Sequence, residues 1–166
     1  NRFGWTAVLC FHRINNDHNP FFPSLSEQKF ETIIQYASEN FEIISLNRIH
    51  EPAKMKPTLI LTFDDGYKDF ILNAVPILKK YKVPCTHCIV TDSVEKNQII
   101  WTQRFFNLFR SVLTIDKKEI TVCLNGKQTP LQVNQKELLR FSKRLFGELL
   151  VTPIIKREKL LTELSN

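Results

Sequence analysis

The stretch TLILTFDDGY, residues Thr58–Tyr67, sets the interpretation of this sequence. Its first six residues, Thr58–Phe63, form a largely apolar run of strand length, which is typical of a strand buried on both faces in a parallel sheet. The run leads directly into Asp64, Asp65 and Gly66. Because α/β proteins build their sites at the carboxyl ends of parallel strands, the sequence predicts a functional site here.

The two adjacent carboxylates suggest specific chemistry. Neighbouring residues of a straight strand point to opposite faces, but a turn at Gly66 would break that alternation and could aim both side chains at one cavity. Two crowded negative charges raise the pKa of one carboxyl group unless a cation neutralises them. The pair therefore indicates a metal ion or a shared proton. A structural alternative stays open, in which one aspartate caps the following helix.

Strand-like and helical segments alternate around this stretch. Helices are predicted over residues 25–39 and from about Asn73 to Tyr81, and residues 52–57 are expected to be a linker. Their order with the strands, β-α-β-β-α-β, predicts an α/β fold with a parallel sheet or barrel. Three further strands are predicted from apolar runs, the first and last of them buried: Thr6–Phe11, Phe41–Ser45 and Cys85–Val90.

Local signals predict where the two helices begin. Ser24 and Glu27 have the spacing of a capping box, in which Ser24 would cap the first helix. Pro76 cannot lie in the middle of a straight helix, so the second helix is expected to begin near Asn73.

The C-terminal part of the chain follows another pattern. We divide the sequence into residues 1–103, the N-terminal part of the α/β fold, and residues 104–166, an insertion or C-terminal excursion of the same domain. The elements predicted after the last strand are a helix, a hairpin with a type I′ turn and two more helices: Trp101–Leu113, residues 120–133, residues 138–149 and a segment following Pro153.

The composition is that of a globular protein. The 166 residues are 43% hydrophobic, include thirteen phenylalanines and carry a net charge of +6. Disordered chains are poor in aromatic residues, and no apolar run approaches the roughly 18 residues of a membrane span. Seven basic residues within 136–159 interleave with apolar positions at helical spacing. This pattern favours a solvated helix face, and we expect no nucleic-acid partner.

The four cysteines, Cys10, Cys85, Cys88 and Cys123, lie in apolar, strand-like contexts. This context predicts buried thiols and no disulfide framework. Cys85 and Cys88 have the C-x-x-C spacing of metal and redox sites. In one strand, however, they would point to opposite faces, so no shared role is expected.

Taken together, these segments resemble the polysaccharide deacetylases, also called the NodB-homology domain or carbohydrate esterase family 4. Thr62–Tyr67 is similar to the first motif of that family. The resemblance covers about residues 6–103. Its other parts are an opening strand that ends in a histidine, a following helix, a second strand and the stretch after the motif: Val8–Ile14, Leu25–Tyr36, Phe41–Leu46 and Ala74–Val90.

The resemblance implies a partial, distorted (β/α) barrel and a metal-dependent hydrolase that removes N-acetyl groups from a sugar or polysaccharide. By position, Asp64 would be the general base and Asp65 a ligand of a divalent metal, which is often zinc in this family. His12, at the end of the first strand, could line the same pocket or bond a loop carbonyl. Trp101 could stack on a sugar, although core burial is favoured for it.

The sequence also departs from the family pattern. The His-Ser/Thr-x-x-x-His pair that completes the metal site of the family is absent from these residues, as are the later motifs. We therefore interpret the chain as the N-terminal part of a longer domain or as a degenerate member. A partial barrel would leave a sheet edge exposed, so self-association is expected.

Three functions remain open at this point. The first is the deacetylase, and the second is a glycan-binding or interaction module that kept the fold without a complete metal site. The third is a phosphotransfer-type domain with Mg²⁺ at the aspartates, which would need a lysine and a hydroxyl residue at later strand ends. Among the other polar residues, His18, His50 and Asp69 are expected in solvent, and His87 is expected to be a hydrogen-bonded core histidine.

Overall fold

A computed structural model describes residues 5–51 and 56–165. Most of the predicted linker, residues 52–57, therefore lies outside the described residues. None of the described helices combines the length and the apolar character that crossing a bilayer requires. The chain forms two compact units: the residues up to His18 with Ser24–Lys96, and Asn19–Pro23 with the residues from Asn97 onward.

The first unit is built around a parallel sheet with β3 (Thr58–Phe63) at its centre. On one side, β1 (Thr6–Phe11) pairs with β3 along its whole length. On the other side, β2 (Glu42–Ile44) pairs with the first half of β3 and β4 (Thr86–His87) with the second half. The predicted parallel α/β arrangement is confirmed, and the carboxyl ends of β1, β3 and β4 lie at one edge of the sheet.

Helical segments connect these strands and supply one side of the core. Phe30 of the first helix packs edge-on against Phe11 of β1 and Phe63 of β3, with ring centroids 5.1 and 5.7 Å apart. Both predicted helices are confirmed. The helical segments of this unit are α1, a 3₁₀ turn, a π-helical turn, α2 and the short α3: Glu27–Asn40, Leu46–Arg48, Phe70–Ala74, Val75–Tyr81 and Thr91–Glu95.

The predicted capping box of α1 is wrong. The cap is Ser26, whose hydroxyl accepts a hydrogen bond from the Lys29 backbone N–H. The Ser24 hydroxyl is engaged elsewhere, because it lies 2.6 Å from Asn15 Oδ1 and 3.0 Å from the Asn15 carbonyl oxygen. The loop after β1 therefore takes Ser24 away from the helix, and the next serine caps it.

The second helical segment begins earlier than predicted. Helical conformation is already present at Phe70 as a π turn, and α2 follows it from Val75. Pro76 lies in the first turn of α2, as expected of a residue without an N–H to donate. The wider π turn thus carries the chain into the helix ahead of the proline.

The burial of the strands differs from the prediction at the edges of the sheet. β3 is buried nearly throughout, as predicted. In contrast, Val8 of β1 is 54% exposed, and Ile89, just after the two-residue β4, is 53% exposed. The prediction of doubly buried strands at Thr6–Phe11 and Cys85–Val90 is therefore wrong, because most side chains of β1 are exposed and the last strand shortens to Thr86–His87.

The second unit combines a hairpin with three helices, and all of these elements were predicted. The hairpin turn is confirmed, since Asn125 and Gly126 have φ of 51° and 75°, as a type I′ turn requires. Phe105, Leu138 and Leu149 are fully buried in its core. The elements are α4, β5, β6, α5 and α6: Trp101–Val112, Glu119–Leu124, Lys127–Gln132, Gln135–Leu150 and Ile154–Ser165.

Candidate active site

The chain turns sharply at the carboxyl end of β3. The Asp64 N–H donates to the Phe11 carbonyl oxygen at 2.9 Å, which extends the pairing with β1 by one residue. Asp65 and Gly66 then both adopt positive φ, 74° and 77°. The predicted turn at Gly66 thus begins one residue earlier, and Asp65 itself takes the left-handed conformation that few non-glycine residues adopt.

Glycine is required at position 66 for two reasons. Its φ of 77° disfavours any side chain, and a Cβ added there would lie 3.3 Å from Ile89 Cγ2. The segment after β4 therefore packs directly over the turn. The turn that carries the two aspartates is fixed by close contact as well as by backbone conformation.

Three potential metal ligands meet beside this turn. Cys10 and His12 lie two residues apart at the end of β1, so their side chains share a face of the sheet. Their ligand atoms and a carboxylate oxygen of Asp64 all lie within 4.8 Å of one another. The Cys10 thiol donates to Asp64 Oδ2 at 3.3 Å. Cys10 and His12 are exposed, while Asp64 is partly buried, so the cluster opens to solvent.

Asp65 shares the electrostatic environment of this cluster. Its pKa is raised, chiefly by burial; the His12 charge opposes the shift and the negative charge of Asp64 adds to it. The ionised form of Asp65 is therefore destabilised by the protein alone. A cation beside Asp64 and Asp65 would offset both the burial and the repulsion.

The structure thus brings together three of the four residues named from the sequence: His12, Asp64 and Asp65. The fourth, Trp101, belongs to the second unit. Its ring stacks on Phe146 at 5.3 Å, and the Arg157 guanidinium lies 4.3 Å from its centroid. Trp101 is partly buried and packs against the core of that unit, as the sequence favoured, and its sugar-stacking role stays a prediction.

Cysteine behaviour departs from the prediction. All four thiols are free, as expected, but Cys10, Cys88 and Cys123 are exposed and only Cys85 is partly buried. The pKa of Cys88 is raised, first by desolvation and then by the charge of Asp64 and a hydrogen bond with it. The prediction of buried thiols is wrong because the strand ends that carry Cys10 and Cys88 are uncovered.

A polar anchor holds the loop after β1 against the segment after the turn. Asn15 Nδ2 donates to Asp69 Oδ2 at 2.5 Å, and Arg13 Nε lies 3.5 Å from the same oxygen. Asn73 Nδ2 donates to the Ile14 carbonyl oxygen at 2.7 Å. The expectation of a solvated Asp69 is wrong, because its side chain is only 14% exposed. This anchor fixes the loop that follows His12 relative to the aspartate turn.

The remaining histidines divide into two groups. His18 and His50 are exposed, as expected. His87 packs against Phe70 with ring centroids 4.0 Å apart, but its Nε2 is shielded and has no hydrogen-bond partner among the described residues. His87 is thus half-buried against Phe70, as expected of a packed histidine, and the expected hydrogen bond is missing at Nε2 among the described residues. Burial lowers the pKa of His87, and the charge of Asp64 opposes that shift.

Sequence reasoning missed Cys10 as a member of the cluster. A signal was present, since the alternation of a strand places Cys10 on the same face as His12. Asp69 carried no such signal, because its partners Arg13 and Asn15 lie more than fifty residues earlier in the chain.

The chain is similar in sequence to proteins named as polysaccharide deacetylases. YxkH of Bacillus subtilis, a protein named as a polysaccharide deacetylase, is 25% identical over 86% of this chain and 51% of its own length. The poly-β-1,6-N-acetyl-D-glucosamine N-deacetylase of Staphylococcus aureus is 26% identical over 84% of the chain and 49% of its own length. The chain therefore spans about half the length of these relatives.

The fold is also found among solved structures. A de-N-acetylase from Aggregatibacter actinomycetemcomitans superposes with a TM-score of 0.50 at 20% identity, over 80% of this chain and 68% of that protein. This similarity confirms the predicted fold class, an α/β chain that corresponds to part of a deacetylase-type (β/α) barrel. The sequence profile of the family "Polysaccharide deacetylase" matches residues 51–136, which include the aspartate turn. By that match, which covers 86 of its 166 residues, the chain belongs to the polysaccharide deacetylase family.

Proposed function

We propose that this chain contributes the general base and part of the metal site of a hydrolase that removes N-acetyl groups from a polysaccharide. The observation that supports the proposal is the turn at the end of β3, where Asp64 lies within 4.8 Å of a His12 ring nitrogen and the charges of both residues act on Asp65. In this assignment Asp64 is the base and Asp65 a metal ligand. The proposed substrate class is supported by the Staphylococcus relative, whose name specifies an N-acetylglucosamine polymer.

The residues at the turn are suited to a divalent cation. Aspartate oxygens and a histidine nitrogen are common zinc ligands, and Asp65 and His12 supply one of each. The pKa of Asp65, raised mainly by burial, indicates a carboxylate whose charge the protein alone does not compensate. We therefore assign Asp65 to hold the cation, with His12 lining the pocket as a further ligand.

The proposed mechanism divides the work between the two aspartates. A divalent cation, when bound, polarises the acetyl carbonyl as a Lewis acid. Asp64, whose Oδ2 accepts the hydrogen bond of the Cys10 thiol, is open enough to accept a proton from an attacking water. The anchor around Asp69 keeps the His12 end of β1 in place, so that the base and the ligands keep their spacing.

The proposal is tested by acetate release from N-acetylglucosamine oligomers with β-1,6 and β-1,4 linkages, in the intact protein that contains this chain. Asp64→Asn keeps the shape of the side chain but cannot accept a proton, so activity should fall by about 10²- to 10⁴-fold. Asp92→Asn is the matched control, because Asp92 is an exposed carboxylate of α3 in the same unit. Equal activity of Asp64→Asn and the wild type would reject Asp64 as the base.

Metal content separates the two roles. Asp65→Asn should lower both activity and the metal that the purified intact protein retains, whereas Asp64→Asn should lower activity and leave the cation held at Asp65 in place. An Asp65→Asn protein that retains its full metal content would contradict the assignment of Asp65 as a ligand.

One observation favours a second candidate, a glycan-binding module without catalysis. These 166 residues contain no His-Ser/Thr-x-x-x-His pair, the motif that completes the metal site in the family. Such a module would bind N-acetylglucosamine oligomers equally well before and after treatment with a chelator. Chelator-sensitive acetate release would exclude it.

A further inference from the structure

The thiol of Cys10 has no place in the proposed deacetylation, yet it lies against the base. Its Sγ is 3.3 Å from Asp64 Oδ2, and both atoms are within 4.8 Å of a His12 ring nitrogen. The side chains come from the ends of two paired strands, since Cys10 lies opposite Thr62 in the register of β1 and β3. The β1–β3 pairing therefore holds Cys10 and Asp64 next to each other.

The spacing of these atoms is close to that of ligands on one ion. Zinc binds sulfur at about 2.3 Å and carboxylate oxygen at about 2.0 Å, so the two ligand atoms on a tetrahedral zinc lie about 3.5 Å apart. The separation of Cys10 Sγ and Asp64 Oδ2, 3.3 Å, is already near that value. His12 is exposed, and its ring nitrogen already lies within 4.8 Å of both atoms, so a change of rotamer is the movement that ligation would require of it.

We propose that Cys10, His12 and Asp64 form a binding site for a thiophilic divalent cation such as Zn²⁺ or Cd²⁺, with the Cys10 thiolate as a ligand. Sulfur, imidazole nitrogen and carboxylate oxygen together favour these ions over Mg²⁺ and Ca²⁺, which prefer oxygen alone. On binding, the thiol loses its proton to the buffer and the sulfur donates its electron pair to the ion. The nearby carboxylate of Asp65 adds negative charge that attracts a cation.

This site has a regulatory consequence, which rests on the proposed function. An Asp64 carboxylate that ligates a cation cannot also take up a proton. Occupation of the thiolate site would therefore switch off the base, while a cation held by Asp65 and His12 would leave Asp64 free. Excess Zn²⁺ or Cd²⁺ is expected to inhibit deacetylation through Cys10.

The binding claim is tested on this chain by titration with Co²⁺, whose coordination by a thiolate produces a sulfur-to-cobalt charge-transfer absorption in the near ultraviolet. The wild type should develop this band, and Zn²⁺ or Cd²⁺ but not excess Mg²⁺ should displace it. Cys10→Ser should abolish the band. Cys123→Ser, which removes an exposed thiol from the other unit, is the matched control and should retain it.

Two further variants sharpen the result. Cys88→Ser removes the other thiol near Asp64 and should retain the band, whereas Asp64→Asn and His12→Ala should weaken Co²⁺ binding by about 10- to 100-fold. Because the Cys10 side chain is exposed, Cys10→Ser should keep the far-ultraviolet circular dichroism of the wild type. The proposal is overturned if the wild type shows no band, if the band persists in Cys10→Ser, or if only Cys88→Ser removes it.

The two proposals fail in different ways. A charge-transfer band that depends on Cys10, together with an intact protein that releases no acetate, would leave the cation site standing and remove the deacetylase. Acetate release that depends on Asp64, without any such band, would do the reverse.

Discussion

The two units of the chain differ in charge as clearly as they differ in fold. Residues 1–18 and 24–96 contain 11 basic and 11 acidic side chains, whereas residues 19–23 and 97–166 contain 12 and 6. The whole net charge of +6 therefore belongs to the hairpin and helix unit. The first unit, which has no net charge, carries the aspartate turn, His12 and three of the four cysteines. The candidate site therefore lies in the electrically neutral unit.

The second unit carries surface grooves, whereas the aspartate turn belongs to the first unit. Two surface grooves of about 650 and 640 Å³ lie in the second unit, the first lined in part by Lys127, Arg144 and Lys156. The cluster of potential metal ligands found among the described residues, Cys10, His12 and Asp64, lies in the first unit. We place the site at the cluster, because a reaction needs ligands and a base in contact, and a groove supplies neither by its volume.

The largest effect on stability is expected when a buried phenylalanine in the core of either unit is replaced by alanine. Phe63 and Phe105 are both fully buried, one in each unit, so Phe63→Ala and Phe105→Ala should each cost about 3–5 kcal/mol in the unit that contains it. Trp5 and Trp101 report on the two units separately through their fluorescence. Each truncation should lower the denaturation midpoint of its own unit more than that of the other unit. The two signals are separated by making each truncation in a Trp5→Phe and in a Trp101→Phe background.

Coincident shifts of both tryptophan signals in every variant would contradict that expectation. The two units would then unfold as one cooperative body, and the contrast drawn between them would be one of sequence and charge only.

The next largest effect concerns the polar anchor of the first unit. Asp69→Ala removes the hydrogen-bond acceptor of Asn15 and the ion-pair partner of Arg13. The side chains of Asp69 and Arg13 are each only 14% exposed. Such a loss should destabilise the first unit by about 2–4 kcal/mol, because it leaves a largely buried guanidinium with one partner fewer. Asp92→Ala, which breaks the exposed pair with Lys96, should change stability by less than about 0.5 kcal/mol in the same urea titration.

A smaller effect on stability is expected from replacing one glycine in each unit by alanine, and the two replacements should differ in sign. Gly66→Ala should cost about 1–3 kcal/mol, because the residue has φ of 77° and the new Cβ would contact Ile89. Gly147→Ala, inside α5 of the second unit with open space around the site, should instead stabilise by about 0.4–1 kcal/mol. Thermal unfolding of both variants measures the difference, and a neutral Gly66→Ala would show that the aspartate turn is not fixed by this glycine.

These contrasts also show what the sequence could predict. The central strand, the hairpin turn and the helices follow from local patterns, because apolar periodicity and the Asn125-Gly126 pair act over a few residues. The gathering of Asp64, Asp65 and His12 follows from parallel strands that end at one edge. The first group of predictions needed only the chain near each residue, whereas the gathering of the site needed the general rule that parallel strands end at one edge.

The errors arose where distant residues compete. Ser24 has a good capping signal, but its hydroxyl is taken by Asn15 of the preceding loop, so Ser26 caps α1. Asp69 looked solvated because Arg13 and Asn15 come from another part of the chain. The exposure of Val8 depends on what covers the sheet, which the apolar run itself does not specify.

The smallest expected effect is a pH dependence carried by His87 in the first unit. Burial lowers its pKa below the ordinary histidine value of about 6.5, so the folded chain resists protonation more than the unfolded chain does. Stability should therefore be full above that value and fall as the pH drops below it, toward the lowered folded pKa. Urea titrations of the wild type between pH 5 and pH 8 would measure the slope.

Two replacements show whether His87 carries that slope. His87→Phe keeps a ring against Phe70 and removes the shielded Nε2 that has no partner among the described residues, so it should stabilise the first unit and flatten the slope. His50→Gln removes an exposed histidine of the same unit and should leave the slope unchanged. If the slope survived in His87→Phe, another group with a lowered folded pKa would have to titrate in this range. Asp65 is not such a group, because burial raises its pKa and its contribution to stability falls as the pH rises.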